Sequence, residues 1–167
     1  MPMTSTLALR ATSTRTGTSP IATATSPLDY LARVVLTSGT GAGAADEHYY
    51  TQLTIAASGS QDLDLAGSLT GPLGGTLTFA RIKGLIVVAA AGNTNNVNVS
   101  RPASNGVPLF AAAGDLIPVQ PGGFFAWGTP SAAGIAVTAG TGDLITFANS
   151  GAGTSVTCDV IVIGASA

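Results

Sequence analysis

Hydrophobic and polar residues alternate in short runs along most of this chain, a pattern of side chains pointing to opposite faces of β-strands. The first such run is Tyr30 to Thr37 (YLARVVLT). From about His48 onward, runs are punctuated by Gly, Pro, Asn and Asp, which predicts strands near 49–57, 61–66, 76–91, 95–101 and 107–112. Further strands are predicted near 115–119, 123–128, 134–139, 143–149 and 154–164. In the last, Val156, Cys158, Val160 and Val162 share one face. The other carries Thr157, Asp159, Ile161 and Ile163, which predicts water at Asp159 and another subunit over Ile161 and Ile163. The run from Thr76 to Ala91 loses its alternation at Arg81 and Lys83, so a bulge around Gly84 is expected. Many short strands at this spacing predict an all-β fold, an antiparallel β-sandwich or jelly roll.

Residues 1–28 read differently. They are Thr, Ser, Ala, Arg and Pro in low-complexity order (TSTRTGTSPIATATSP), without a useful period. Such a segment buries too little to offset its ordering entropy and is expected as an extended arm, ordered only against a partner and dispensable for folding. The domain reading is therefore an arm over 1–28 and a β-sandwich over 29–167.

Composition sharpens this picture. Of the 167 residues, 46% are hydrophobic and only 8% charged, against roughly 25% charged in ordinary domains. A net charge of −2 makes a weakly self-repelling surface, which favours assembly. Six scattered basic residues give no nucleic-acid footprint. The N-terminus lacks an apolar stretch of signal-peptide length, and the longest apolar run, Leu85 to Ala91, is too short to span a bilayer. The expectation is a chain made soluble in the cytoplasm, with no membrane partner.

Candidate chemistry is thin. Gly39 to Ala44 (GTGAGA) matches the dinucleotide fingerprint, with Asp62 and Asp64 about 20 residues on. That site requires a helix N-terminus, and no helix fits before Tyr49. In VTAGTGDLITFANSGAG, from Val137 to Gly153, no Lys-Ser/Thr follows the glycines as a phosphate loop demands. Gly140 to Asp143 and Asn149 to Gly151 are instead predicted as hairpin turns around one strand. Asp46, Glu47 and His48 are adjacent and would point apart on a strand. Asp62 and Asp64 share a strand face and could join a Ca²⁺ site, which takes six or more oxygens, or instead protect an edge strand by their charge. His48, the sole histidine, has no nucleophile elbow to serve. Cys158, the sole cysteine, forms no intramolecular disulfide and sits in phase with valines as a small hydrophobe. Trp127, with Phe124 and Phe125, reads as core or interface before carbohydrate platform. The asparagines between Gly92 and Ser100 read as an exposed strand face or a subunit contact. No catalytic, cofactor-binding or metal residue is assigned.

Two segments resemble a known class. DLAGSLTGPLGGTLTFARIKGLIV (Asp64 to Val87) and GIAVTAGTGDLITFANSGAGTSVTCDVIVIG (Gly134 to Gly164), with Pro121-Gly122-Gly123 before the latter, resemble segments of small structural proteins of tailed bacteriophages. The resemblance covers about residues 48–165 and excludes the arm. It implies a non-enzymatic β-sandwich of the virion, often trimeric: a capsid decoration (cement) protein, head fibre or tail-associated part. The implied partners are further copies of itself, as a homotrimer, and the major capsid protein of the icosahedral head. A tail-fibre or receptor-binding module contacting host glycans is the alternative.

Overall fold

The computed structural model describes residues 2–67 and 69–167 and contains no helix among them. It opens on two long strands, β1 (Ser5–Thr18) and β2 (Thr23–Ser38). These are followed by β3 (Ala44–Ala45), β4 (Glu47–Ile55), β5 (Ser60–Asp64), β6 (Leu69–Thr70), β7 (Thr76–Leu77), β8 (Arg81–Ala89) and β9 (Val97–Ser100). The chain closes with β10 (Leu116–Val119), β11 (Phe124–Gly128), β12 (Ile135–Ala136), β13 (Leu144–Asn149) and β14 (Val156–Ala165).

The fold is an all-β sandwich. One sheet runs β10-β9-β13-β5; the other runs β11-β8-β14-β4, with β12 beside β8. Alternation in the sequence becomes the interior directly. Val97, Val99, Ile145 and Phe147 from the first sheet meet Leu85, Val87, Val156, Cys158, Val160 and Val162 from the second in one buried cluster. Of the connections between the longer strands from β4 onward, only β9 to β10 stays within a sheet; the others lead across.

That winding changes the role of the predicted turns. β13 has its sequence neighbours β12 and β14 in the opposite sheet, so both glycine-rich segments lead between layers; the first does close the predicted tight reversal, with Thr138 bridging Gly142 antiparallel, but neither segment joins two paired strands. Turn residues announce a reversal but not which strand is met after it. At the first corner Gly140 has φ 72°, and its N–H donates to Asp143 Oδ2 at 2.5 Å. At the second, the buried Asn149 amide donates to the carbonyls of Ala56 (3.1 Å) and Thr154 (2.8 Å) and accepts from Gly151 N–H.

Other boundaries shift for identifiable reasons. Residues 107–112 are turn rather than strand; Leu109 and Phe110 face the core singly, and Arg101 Nη1 donates to Phe110 O at 3.0 Å. The run over 76–91 splits into β7 and β8, because Phe79 turns in to bond Leu65 O and fill the core. The bulge falls at Lys83: Ile163 pairs with Gly84 and Gly164 with Ile82.

The N-terminal region departs furthest from expectation. Residues 5–18 and 23–38 form one antiparallel ribbon, with Ser5 opposite Leu36 and Thr18 opposite Thr23. The 28/29 boundary therefore falls inside β2. Thr6, Thr12, Thr14, Thr16, Thr18, Thr23 and Thr25 lie on one face of this ribbon, where β-branched cross-strand pairs favour the extended backbone. At its tip, Ala22 N–H donates to Ser19 Oγ at 3.2 Å, and Ser19 N–H donates to Ala22 O at 2.9 Å. Pro27 is tolerated because a two-stranded ribbon has only edges.

Candidate interaction surface

The ribbon has a seated base and a free end. Register places Ser5/Leu36, Leu7/Val34, Leu9/Ala32, Ala11/Tyr30 and Ser13/Leu28 on one face. The first two pairs lie against the outer face of the five-stranded sheet, where Leu36, Ala45 and Ile163 form a buried cluster with Leu7, Val34 and Met3 around it. Gly84 and Gly128 are cross-strand partners directly beneath Leu7. A Cβ added at Gly84 would lie 2.6 Å from Leu7 Cδ2, so the missing side chain is the seat. Ile163 is thus covered by its own chain, not by another subunit as expected; Ile161 remains 36% exposed.

Lys83 fastens this base. Its side chain is fully buried at the bulge, and the ammonium donates to the carbonyls of Gly41 (3.2 Å), Ala132 (3.1 Å) and Ser131. Three donors meet three acceptors, so the charge is satisfied by dipoles alone. Burial lowers its pKa, with a further contribution from Arg81. Together with a backbone bond from Gly43 N–H to Pro130 O, this side chain holds the loop after β2 to the loop after β11.

Beyond the base, every residue from Ala8 to Leu31 is exposed. At about 3.3 Å per residue, the 14 residues of β1 reach roughly 45 Å. The surface includes Leu9, Leu28, Tyr30 and Leu31, and Ile21 at the tip is 96% exposed. Arg10 and Asp29 form a bidentate pair at 2.9 and 2.8 Å, which raises the arginine pKa, but both stand in solvent and serve register more than stability.

The sheet face beside the seat is also open. Successive rows are Ala126–Ile86–Ile161–Tyr50 and Phe124–Val88–Asp159–Gln52. Phe124 and Tyr50 are about 60% exposed, and Asp159 is the sole charge, accepting from Gln52 at 2.9 Å. A cleft of about 170 Å³ opens where Leu9 and Ala32 of the ribbon diverge from Ile86 and Ala126 of the sheet.

The residues weighed for chemistry are dispersed into structural roles. In the GTGAGA loop, Gly43 N–H donates to Pro130 O and Gly43 O accepts from Thr37 N–H, and no helix begins there. Asp46 accepts from Ser166 N and Oγ at 2.8 and 2.6 Å, tying down the C-terminus. His48 stacks on Tyr50, with Nδ1 3.3 Å from Met3 Sδ. Asp62 accepts from Thr146 Oγ1, while Asp64 accepts from Ala66 N–H at 3.0 Å in its own turn. Among the described residues no three His, Cys, Asp or Glu side chains converge as metal ligands would. Cys158 is buried, and burial first, then Asp159, pushes its thiol up to about 11. Trp127 is half-buried against the core rather than laid open. Asn93 bonds both N–H and O of Thr157 at 2.9 Å, so one of the asparagines is a strand clamp.

Sequence reasoning read Lys83 only as a break in alternation, not as a buried clamp, and passed over the Leu7 seat. The signal for the seat was present in STLALRA, where Leu7 and Leu9 alternate with polar or small residues. No protein-family model, curated protein or solved structure matches this chain.

Proposed function

We propose that this chain is a non-enzymatic structural protein of a bacteriophage particle: a homotrimeric decoration (cement) protein that binds the major capsid protein and stabilises the icosahedral head. The observation that carries this reading is the ribbon, a two-stranded element whose β1 strand is exposed on both faces over roughly 36 Å from Ala8 to its tip, as is β2 back to Leu31. Such a ribbon is marginal alone in water, and its open edges offer main-chain hydrogen bonds to a neighbouring protein. The sandwich supports the same reading. We read its winding as a jelly roll, since the sheet orders β4-β14-β8-β11 and β5-β13-β9-β10 and the single in-sheet connection from β9 to β10 follow that pattern. Jelly rolls are common in viral shells and lectins; fold alone does not choose between them.

The test is co-sedimentation of the purified chain with expanded, undecorated phage heads, followed by heating of the complex. Saturable binding and a raised temperature of head rupture are expected. Binding to cell surfaces or glycans with none to heads would overturn this reading in favour of a tail-fibre or receptor-binding module. Removing residues 1–28 is a poor control, because it would take away Leu7 and leave β2 unpaired. Replacing residues 10–31 by Asn-Gly keeps the seated pairs and closes them with a tight turn on the hydrogen-bonded pair Leu9/Ala32. This shortened protein should fold and lose most head binding.

A further inference from the structure

The exposed face of the ribbon and the open face of the five-stranded sheet are chemically matched. Past the seat, the ribbon face presents Leu9, Ala11, Tyr30 and Leu28, with Arg15 as its one charge. The sheet presents Ile86, Val88, Phe124, Ile161 and Tyr50, with Asp159 as its one charge. Within one chain these surfaces diverge at the cleft between Leu9 and Ile86, so neither covers the other.

Beyond Arg15 and Asp159 on these faces, charge is divided between the ribbon as a whole and the rest of the chain. The ribbon carries Arg10, Arg15 and Arg33 against Asp29, a net of +2. The remainder holds three bases against seven acids, a net of −4. A chain net of −2 thus conceals two parts of opposite sign. Opposite potentials steer two bodies together and fix their register. The seat supplies the geometric precedent, because Leu7 of the same ribbon face already rests on Gly84 and Gly128 of the same sheet face.

We infer that the occupant of the open sheet face is the ribbon of a second copy of this chain, so that the molecules join head to tail. The interface is heterologous: ribbon of one copy on sheet of the next. Such junctions close into a ring when the rotation permits. This inference rests on the trimer of the proposed function and names the surfaces that build it. Each junction buries Tyr30 and Leu28 against Phe124 and Ile161 and extends the contact that Leu7 begins.

The experiment uses the full chain without any capsid, so its failure leaves head binding standing and the failure of head binding leaves it standing. Sedimentation of wild-type protein over a concentration series should show a closed oligomer that dissociates as salt is raised. Tyr30→Asp and Phe124→Asp each place a carboxylate in the junction and should weaken association at least about thirtyfold. Both side chains are exposed in the single chain, so circular dichroism should be unchanged. Mixing the two variants is the decisive arm. Phe124→Asp retains a sound ribbon and Tyr30→Asp a sound sheet, so the mixture should form a one-to-one heterodimer and no ring. A wild-type monomer throughout the series, or variants that assemble like wild type, would overturn the inference. So would a mixture that shows no heterodimer.

Discussion

At the scale of single residues, the chemistry of this protein is the chemistry of concealment. Cys158 stands in a row of valines and is 1% exposed, and its thiol is pushed from an ordinary 9.0 up to about 11. The folded state therefore keeps a proton that the unfolded chain releases between those values. Below pH 9 both states are protonated and nothing changes. From pH 9 to about 11 the unfolded state binds fewer protons, so stability falls as pH rises, by roughly 2–3 kcal/mol over the interval. Lys83 acts in the opposite sense. Its lowered pKa leaves the unfolded chain binding more protons just below 10.5, so its contribution rises with pH there. Urea denaturation across this range should isolate the thiol by comparison with Cys158→Val, which preserves the apolar row. The variant should lose the downward slope. Equal slopes in the two proteins would mean that the thiol is not the source.

At the scale of elements, the ribbon shows how a side chain and its absence cooperate. Leu7 sits on the sheet because Gly84 and Gly128 leave a depression under it. Gly84→Ala should lift Leu7, lower stability by about 1 kcal/mol, and accelerate amide exchange in the β1 base. Leu7→Ala in the same chain should recover part of that loss, a coupling that a double-mutant cycle measures. Simple additivity would place the two groups out of contact. Gly164 provides the contrast: a Cβ there would strike the backbone carbonyl of Arg81, which has no rotamer to yield, so Gly164→Ala should cost more. These glycines also show what was legible in the sequence. The sandwich strands could be read because one face is Val, Ile, Leu and Phe and the other polar, as in Ile145, Phe147 and Thr146. The ribbon was legible only in part: Tyr30 to Thr37 alternates enough to read as a strand and lies in β2, whereas residues 10–28 are exposed on both sides, with Thr mostly on one face and Ala, Ser and Gly mostly on the other, and show little contrast. Corner residues such as Asn149 and Gly151 were recognisable, but their strands' partners were not. Pairing across layers depends on the whole winding, which no local residue encodes. Lys83 was hidden for a related reason, since its acceptors come from Gly41 and from residues 131 and 132, distant in sequence.

At the scale of the whole molecule, two buried clusters of unequal size imply two kinds of stability. The sandwich interior joins both sheets and should unfold as one cooperative unit. The small cluster of Leu36, Ala45 and Ile163 holds only the ribbon base, and nothing within a single chain buries the ribbon beyond it. Intramolecular packing from Ala8 to Leu31 therefore contributes little to the folding of the isolated chain. If copies join through the ribbon, assembly adds stability by mass action, because only the folded state associates. The melting temperature of the wild-type protein should then rise with protein concentration. In the form with residues 10–31 replaced by Asn-Gly, the melting temperature should be independent of concentration and should meet the wild-type value at high dilution. Calorimetry of both proteins over a dilution series makes the comparison. Convergence at dilution places the ribbon's stabilising role between molecules. A shortened protein that melts far below wild type even at the greatest dilution would place it within the chain, and would make the ribbon part of the fold rather than its outward contact.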